Sequence, residues 1–347
     1  MNRYPYKNVA VGNMTRSSRK YRQFLATIFI FIYHCLRQMK RDTSKKKPIV
    51  LSNWQFILMM AIMIVVWACA FPFIKIALDD LSFINLTIMR FLVVCIVLIA
   101  ILMIQPKRFS PLKKKDILPI FLLGFFGVMI YHLGLNYGEQ YISPGTASLI
   151  IATIPIIIVI LAIMFLNEKL TLKKLSGITL ALCGVLIISF WGTQEASIEI
   201  NYIFGALAVF IAAFMGALYT VAGKKLLERY TALSLTVYAM LLGSIGLLPF
   251  LSTSLIEEVT AMSTNSLIAI IFLGVCSTVI GYIIWYVALE IKTASEISVY
   301  LYGIPVISTI ISYFLFGDKI TLLFILGGAL VITGLVIVNM KNQQKID

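Results

Sequence analysis

Charged residues are scarce in this chain of 347 residues. Asp, Glu, Lys and Arg make up 13% of the sequence and hydrophobic residues make up 60%, whereas soluble domains average roughly 25% charged and 45–50% apolar residues. The mean hydropathy is +0.97. A soluble core cannot bury this much apolar surface, but lipid can cover it. The composition therefore excludes a soluble globular protein.

The chain also has few of the side chains that hold metals or attack substrates. It contains two histidines and five cysteines, and no two cysteines are spaced as C-x-x-C. Four of the cysteines lie inside apolar runs, where a thiol packs as a small hydrophobic group. No pair of carboxylates lies within an apolar run. We therefore predict no catalytic residue, metal site or cofactor, and an integral-membrane enzyme or a scaffold is only a remote alternative.

The sequence contains long apolar runs with few charged residues. Runs of about 20 apolar residues recur, and each is long enough to cross a hydrocarbon layer of roughly 30 Å as a helix. The predicted fold class is therefore an all-α polytopic membrane protein. Ten transmembrane helices are predicted, at Gln55–Ala77, Phe83–Ile104, Ile117–Gly138, Thr146–Leu166, Leu175–Trp191, Ile203–Gly223, Ala232–Leu251, Ser266–Glu290, Glu296–Phe316 and Leu322–Val338.

The basic residues predict how these helices are oriented. Cytoplasmic loops of membrane proteins are enriched in Lys and Arg. With a cytoplasmic N-terminus, 26 of the 29 Lys and Arg residues fall on the inner side, while acidic residues, Glu139 among them, dominate the outer loops. We therefore predict a multi-pass protein of the cell membrane with both termini in the cytoplasm. The net charge of +14 reflects this orientation, so nucleic acid is not an expected partner.

Residues 1–53 form a basic arm before the first span. Phe24–Leu36 within this arm is apolar for only about 13 residues, which is too short for a comfortable crossing. Because basic residues flank it on both sides, we predict an interfacial helix or part of a disordered cytoplasmic arm. A translation start at Met39 would remove the segment, and the sequence leaves that possibility open.

The sequence repeats itself at an offset of about 150 residues. Pro155 falls on Pro305, and similar pairs recur in other spans. Spans one to five therefore resemble spans six to ten in order, which indicates an internal duplication. The other matched pairs are Lys75 with Lys224, Gly124 with Gly274, Gly177 with Gly327, and Gly184 with Gly334.

The odd number of spans in each repeat predicts that the second repeat is inverted. If the first repeat (residues 54–191) starts inside the cell, the second (residues 192–339) starts outside, and residues 340–347 form a cytoplasmic tail. Two inverted five-helix repeats are an architecture of secondary transporters, whose substrate site lies between the halves near the bilayer midplane. Equivalent halves can exchange conformations, so the same symmetry supplies alternating access.

Prolines near the middle of two spans indicate a central cavity. Pro155 and Pro305 each lie about 10 residues from either end of their spans, and each removes a backbone hydrogen bond and bends its helix. In lipid, freed carbonyls are tolerated only where protein or an aqueous cavity satisfies them. We therefore expect helix breaks at one depth around a cavity, with Pro72 in the first span as a third candidate for a break or gate.

Three cationic or titratable residues lie within the predicted spans, where charge is costly and commonly functional. The helical rise of ~1.5 Å per residue places Lys75, Arg90 and His132 about 5–10 Å below the outer boundary. Together they would attract a carboxylate or phosphate, and Arg90 suits two-point contact with such a group. Structural alternatives remain: Lys75 reaching the headgroups, Arg90 bonded to backbone carbonyls or to Glu139, and His132 packed in the core.

Aromatic and amide side chains cluster on the spans assigned to the cavity. Tyrosine combines a flat apolar body with a hydroxyl group, which suits a wet cavity that admits amphipathic solutes. The alternative is an aromatic belt at the membrane surface, which fits poorly for tyrosines close to the mid-span Pro305. Besides the three residues above, the predicted cavity residues are Trp67, Tyr131, Asn136, Tyr282, Trp285, Tyr300 and Tyr302.

Two segments resemble a known family. Tyr131–Ile188 and Gly281–Val338 are similar to the two copies of the EamA module of the drug/metabolite transporter superfamily. WACAFPFIKIAL and LTIMRFLVVC in the first two spans match its usual placement of Trp, Lys and Arg. The resemblance covers residues 54–339 and implies a ten-helix inverted-repeat carrier, commonly an exporter of amino acids or other small metabolites. Asp318, where the family often has Glu, and the basic N-terminal arm depart from the pattern.

The predicted function is secondary transport of a small metabolite by alternating access at a midplane cavity. Cationic residues and tyrosines favour an amino acid or a related zwitterion or anion, and the resemblance favours export. A multidrug carrier or a carrier of nucleotide-related metabolites is the alternative. No acidic residue is expected at mid-membrane, but His132 leaves proton coupling open. Small-residue stripes on spans five and ten serve either packing inside the bundle or a homodimer.

Overall fold

The computed structural model describes residues 51–191, 200–316 and 322–340. The basic N-terminal arm with Phe24–Leu36, Asp318 and the C-terminal tail lie outside these ranges. Within them every regular element is helical, which confirms the all-α prediction. The long helices are α1 (Asn53–Ala77), α2 (Phe83–Ile104), α3 (Lys114–Glu139), α4 (Pro144–Leu166), α5 (Leu172–Trp191), α6 (Ile200–Leu226), α7 (Ala232–Phe250), α8 (Thr264–Ile291), α9 (from Ala294 to Phe316) and α10 (Leu322–Asn339).

Eight of these helices, α1 to α4 and α6 to α9, are long and apolar enough to cross a membrane. In α9 the qualifying stretch is Ala294–Ile311, and in α10 a shorter apolar stretch runs over Ile325–Val338. The helix α5 contains 20 residues. All ten predicted spans therefore coincide with helices, while the crossing of the membrane by α5 and α10 stays a prediction.

Four helices change their winding at matching positions in the two halves. The helices α3 and α8 contain π-helical turns at Phe125–Ile130 and Leu273–Ile280. The helix α4 breaks between Ile151 and Ile154, and α9 tightens into a 3₁₀ segment at Val299–Tyr302. Such irregular turns free backbone groups and commonly mark functional sites. The helices α4 and α9 are therefore interrupted just before Pro155 and Pro305.

The prediction of a helix break at Pro72 was wrong. The helix α1 continues through Pro72 to Ala77 without a change of winding, and the proline ring is buried. Proline inside a membrane helix is tolerated where neighbouring helices accommodate the freed carbonyl. The break therefore depends on local packing in addition to the missing N–H group.

Glycine pairs hold α5 and α10 together within the chain. A Cβ atom at Gly184 would lie 2.4 Å from the carbonyl oxygen of Gly327, and one at Gly334 would lie 2.5 Å from that of Gly177. Gly177 and Gly184 are the repeat partners of Gly327 and Gly334, so the two contacts are related by the repeat. Small residues allow such close approach of membrane helices. These stripes thus serve packing inside the bundle.

Polar contacts at the two ends of the bundle are also related to each other by the repeat. The Ser266 hydroxyl donates to Asp80 at 2.6 Å, and the Arg229 guanidinium donates to Asp116 at 2.5 Å. The repeat relates Asp80 to Arg229 at an offset of 149 residues and Asp116 to Ser266 at an offset of 150. The first contact joins the end of α1 to the start of α8, and the second joins the end of α6 to the start of α3. An inverted repeat requires this exchange of partners.

Asp80 tests the contribution of these end contacts to stability. It accepts hydrogen bonds from the Ser263 backbone N–H at 2.9 Å and from the Ser266 hydroxyl, so it caps the start of α8. Burial raises the pKa of Asp80, but these hydrogen bonds outweigh burial and leave the pKa below its ordinary value. The stabilisation is therefore present above the ordinary pKa of ~4 and is lost as the pH falls towards the lower folded value.

We expect Asp80→Ala to lower the free energy of unfolding by about 1 kcal/mol near neutral pH, because a helix cap is lost. Asp80→Asn keeps an acceptor oxygen and should lose less. Thermal unfolding of the purified protein in detergent measures both variants. The deficit of Asp80→Ala should shrink in acid, and a deficit independent of pH would contradict this assignment.

Candidate functional site

A cavity lies between the two halves, next to the broken turns of α4 and α9. It is bounded by aromatic, aliphatic and a few polar side chains from seven helices. The lining residues are Trp67, Ala70 and Phe71 of α1, Arg90 of α2, Tyr131, His132 and Leu135 of α3, Ile151 and Ile154 of α4, Gly216, Tyr219 and Thr220 of α6, Ser277, Tyr282 and Trp285 of α8, and Leu301 and Ile304 of α9.

The lining follows the repeat almost completely. Seven pairs of lining residues are related by the offset of 149 or 150 residues, so the cavity has an approximate two-fold axis. The pairs are Trp67 with Gly216, Ala70 with Tyr219, Phe71 with Thr220, His132 with Tyr282, Leu135 with Trp285, Ile151 with Leu301, and Ile154 with Ile304.

Three lining residues break this symmetry, namely Arg90, Tyr131 and Ser277. The repeat partner of Arg90, 149 positions later, is Ala239, and the residue 150 positions before Ser277 is Gly127. Neither counterpart lines the cavity. Because Arg90 and Ser277 lie against each other, the charge of the cavity is concentrated at one place. A solute with an anionic group would therefore bind with that group at Arg90.

Arg90 is held in place by two hydroxyl groups. Its side chain is 2% exposed, its Nε donates to Thr278 Oγ1 at 2.8 Å and its Nη2 donates to Ser277 Oγ at 3.1 Å. Thr278 in turn donates to the carbonyl of Leu273, five residues earlier in the π-helical turn, at 2.8 Å. Nη1 has no hydrogen-bond partner among the described residues. The guanidinium is thus fixed while one of its nitrogens stays available to a ligand.

His132 adds a second nitrogen-bearing ring to the same wall. It is 1% exposed, and its Nδ1 lies 2.6 Å from the carbonyl oxygen of Val128. That distance requires a proton on Nδ1, which leaves Nε2 to act as an acceptor in the neutral ring. The rings of Phe91 and Tyr282 pack against it at centroid distances of 5.0 and 5.9 Å. The neutral imidazole is therefore packed as part of an aromatic wall.

Aromatic rings of one half rest on glycines of the other half. The indole N–H of Trp67 donates to the Ser277 carbonyl at 2.9 Å, and a Cβ atom at Gly281 would lie 2.2 Å from this nitrogen. A Cβ atom at Gly216 would lie 3.2 Å from the ring of Tyr131. The repeat relates Trp67 to Gly216 and Tyr131 to Gly281. The first half thus supplies both rings, and the second half supplies both glycines.

Residues of α6 also line the cavity, and the sequence did not predict them. Trp285 Nε1 donates to Thr220 Oγ1 at 3.2 Å, the Tyr286 hydroxyl donates to the Tyr219 carbonyl at 3.2 Å, and the two tyrosine rings stack at 4.9 Å. The repeat carried the missing signal, because the offset of 149 residues relates Trp67 and Phe71 of α1 to Gly216 and Thr220 of α6.

Six of the ten predicted cavity residues line the cavity, and four do not. The six that line it are Trp67, Arg90, Tyr131, His132, Tyr282 and Trp285, and substrate binding by them stays a prediction.

Lys75 and Asn136 were wrongly placed in the cavity. Lys75 is half-buried, and its Nζ donates to the backbone carbonyl of Glu139 at 2.8 Å. Asn136 is buried but its amide donates to Thr87 Oγ1 at 2.8 Å, so it joins α3 to α2. Both side chains belong to the contacts between helices.

Tyr300 and Tyr302 were also wrongly placed in the cavity. Tyr300 packs edge-on against Phe56 at 6.0 Å, and Tyr302 lies in a core cluster with residues of α5 and α10. The segment Val299–Tyr302 is a 3₁₀ helix with three residues per turn, which changes the direction in which its side chains point. As a result Leu301, between the two tyrosines, faces the cavity.

Glu139 was wrongly counted among residues of an outer loop. The helix α3 ends at Glu139, and this side chain is fully buried. Neither carboxylate oxygen has a hydrogen-bond partner within the described part of the chain. Arg90, for which Glu139 was considered as a partner, instead bonds to the two hydroxyls of α8. A buried acidic residue therefore exists where the sequence predicts none.

Charged contacts close the end of the bundle that is predicted to face the cytoplasm. Glu168 at the end of α4 accepts from the backbone N–H groups of Ala294 and Ser295 at 2.7 and 3.1 Å, and from the Ser295 hydroxyl at 2.6 Å. Lys174 forms an ion pair with Glu296 at 3.0 Å. Glu168 thus joins the broken helix α4 of one half to the start of the broken helix α9 of the other.

We expect Glu168→Ala to favour opening of this end, because hydrogen bonds to a charged group contribute about 1.5–3 kcal/mol each. Maleimide labelling of a Thr220→Cys reporter from the cytoplasmic side, in a cysteine-free background, should become at least ~10-fold faster. The exposed Glu228→Ala variant is the matched control and should label at the original rate. Equal rates in both variants would show that Glu168 does not hold this end closed.

Comparison with known proteins places the chain among transporters. The model of the EamA-like transporter family matches residues 54–190 and 203–340. An uncharacterized transporter of Archaeoglobus fulgidus is 39% identical over 82% of this chain and 99% of its own length. The transporter YdfC of Bacillus subtilis is 33% identical over 83% of this chain and 92% of its own length. A protein of Streptantibioticus cattleyicolor, named a probable terminal-alkyne amino-acid exporter, is 30% identical over 82% and 93%.

A solved crystal structure also has this fold. It superposes with a TM-score of 0.63 and covers 83% of this chain and 97% of its own, at 18% sequence identity. At that identity the likeness concerns the fold alone. Within the part of the chain that the structure describes, no group of three or more His, Cys, Asp or Glu side chains is arranged to hold a metal ion.

Proposed function

The chain belongs to the EamA-like transporter family, and we propose that it exports a small zwitterionic or anionic metabolite, such as an amino acid, across the cell membrane. The observation that carries this proposal is the buried guanidinium of Arg90 in an otherwise aromatic and aliphatic cavity. Its free Nη1 can hold a carboxylate, while the rings of Trp67, Tyr219 and Tyr282 cover an apolar side chain.

Electrostatics favour this class of substrate over a cationic one. A charge in a low-dielectric site interacts far more strongly than in water, so Arg90 attracts an anionic group and repels a cation. Hydrogen bonds to charged groups contribute about 1.5–3 kcal/mol. The name of the 30% identical relative, an amino-acid exporter, supports the same substrate class and the outward direction.

Alternating access is the proposed mechanism. The helices α4 and α9 cross between the halves, and the cavity lies beside their breaks at Ile151–Ile154 and Val299–Tyr302. Contacts at one end of the bundle, led by Glu168, have to open while contacts at the other end, led by Asp80, stay closed. Because the halves are related by the repeat, the opposite arrangement has a similar free energy. The predicted cytoplasmic location of both termini fixes which end opens inward.

Counterflow in proteoliposomes tests the proposal. Vesicles containing the purified protein are loaded with unlabelled L-phenylalanine, L-leucine or L-threonine and diluted into the labelled compound. We expect saturable, transient accumulation of at least one of them that empty vesicles do not show. If nucleotides or lipophilic cations show counterflow and amino acids do not, the proposed substrate class is wrong. If no solute shows counterflow, the proposed transport itself is wrong.

A further inference from the structure

The carboxylate of Glu139 has no evident structural task. It is fully buried at the end of α3, and neither of its oxygens has a hydrogen-bond partner among the described residues. An ionised carboxylate buried without hydrogen bonds is costly, so such groups are rare unless they serve a function. Glu139 lies one helical turn beyond the lining residue Leu135, towards the end of the bundle predicted to face outward.

The repeat shows that the lysine contact at this position does not need the carboxylate. Lys75 donates to the backbone carbonyl of Glu139 at 2.8 Å. In the other half its counterpart Lys224 donates in the same way to the backbone carbonyl of Leu289, and a shift of 150 residues turns Glu139 into Leu289. The fold therefore makes this contact equally well with an apolar side chain. At this position only the first half has an acidic side chain.

Cationic groups from two helices face Glu139. Lys75 of α1 and Arg90 of α2 interact with it electrostatically, and Tyr131, two turns earlier on α3, lies within the same electrostatic range. Asp79 at the end of α1 acts on Lys75. From α6, the backbone carbonyl of Gly205 and the side chain of Val209 pack next to the neighbouring Gly138. The charge of Arg90 is thus shared between Glu139 and any anionic group that enters the cavity.

We propose that Glu139 takes up a proton when Arg90 binds the anionic group of a substrate, so that the proton and the substrate are carried together. This inference rests on the proposed function, because it takes Arg90 as the anion-binding residue. Ionised Glu139 repels a carboxylate at Arg90, and protonation from the aqueous phase onto Oε1 or Oε2 removes the repulsion. By linkage, substrate binding favours protonation to the same extent. Export then runs down the substrate gradient and carries a proton outward.

Counterflow at varied pH tests this coupling with the full chain. For wild type and the amino acid that gives the strongest signal, we expect KM to rise about 10-fold from mildly acidic to mildly alkaline solution, within the roughly 5- to 150-fold range typical of coupled sites. Glu139→Gln mimics the protonated state, so its KM should stay low across the same range. The exposed Glu228→Gln variant is the control and should keep the wild-type dependence on pH.

A pH-sensitive dye inside the vesicles gives a second readout. Net efflux of substrate through wild type should carry protons out, while Glu139→Gln should move substrate without them. Thermal unfolding of Glu139→Gln should match wild type, since Leu289 shows that the lysine contact tolerates a neutral side chain. The inference is overturned if Glu139→Gln keeps the wild-type pH dependence and proton flux. Absence of counterflow in wild type would instead overturn the proposed function.

Discussion

Replacing Arg90 by methionine is expected to raise the KM for counterflow at least ~30-fold. Removing one partner of a desolvated charge pair costs about 2–5 kcal/mol, and each 1.4 kcal/mol is tenfold in an equilibrium constant. Methionine has a similar length and flexibility, so it fills the same space between α2 and α8. The loss should therefore appear in substrate binding while the purified protein stays folded and monodisperse.

Two variants separate the charge of Arg90 from its shape. Arg90→Lys keeps the positive charge but replaces the planar fork by one compact ammonium group, so an intermediate rise in KM is expected. Lys113→Met removes a positive charge from an exposed loop that is predicted to be cytoplasmic, and it should leave KM unchanged. Wild-type counterflow by Arg90→Met, measured at equal amounts of folded protein, would remove Arg90 from the binding site.

Gly124→Ala is expected to produce the largest loss of stability. A Cβ atom at Gly124 would lie 1.9 Å from the carbonyl oxygen of Ala239 and 2.9 Å from the Cα of Gly243. These are backbone atoms, so no side chain can rotate away and α3 must separate from α7 of the other half. Overpacking costs typically 1–3 kcal/mol, occasionally more. We expect a fall of several degrees in the thermal unfolding temperature and a lower yield of folded protein.

Gly328→Ala is the matched control for Gly124→Ala. It places the same methyl group on a helix, but the nearest atom, Val306 Cγ1, lies 3.7 Å away at ordinary contact distance. Its unfolding temperature should stay within a degree or two of wild type or rise slightly, because alanine favours the helix over glycine. Equal destabilisation by both substitutions would show that the close approach of α3 and α7 does not determine stability.

The sequence predicts the fold well because its strongest signals are long and repeated. Apolar runs of about 20 residues identify the helices regardless of which other helices pack against them. The offset that pairs Pro155 with Pro305 also relates the two helix breaks. Arg90 could be assigned to the candidate site because a charge within an apolar run is costly and is therefore commonly functional. These features do not depend on the details of packing.

The positions that the sequence did not predict concern side-chain directions and one helix boundary. Tyr302 is the last residue of the 3₁₀ segment in α9, and its direction depends on this turn, which hydropathy does not reveal. Glu139 was assigned to a loop because the boundary of α3 was placed one residue too early. Tyr219 was overlooked because a tyrosine on α6 carries no charge to mark it. All three need coordinates, or a fuller use of the repeat, to be placed.

Cysteine accessibility in intact cells tests most directly the central claim that two oppositely oriented halves enclose the cavity. Single cysteines replace Tyr141 and Glu257, or Lys114 and Glu228, in a protein whose five native cysteines have been substituted. All four positions are exposed. A membrane-impermeant maleimide should label the first two in intact cells and the second two only after permeabilisation. If positions 141 and 257 label from opposite sides of the membrane, the halves are not inverted and the account is wrong.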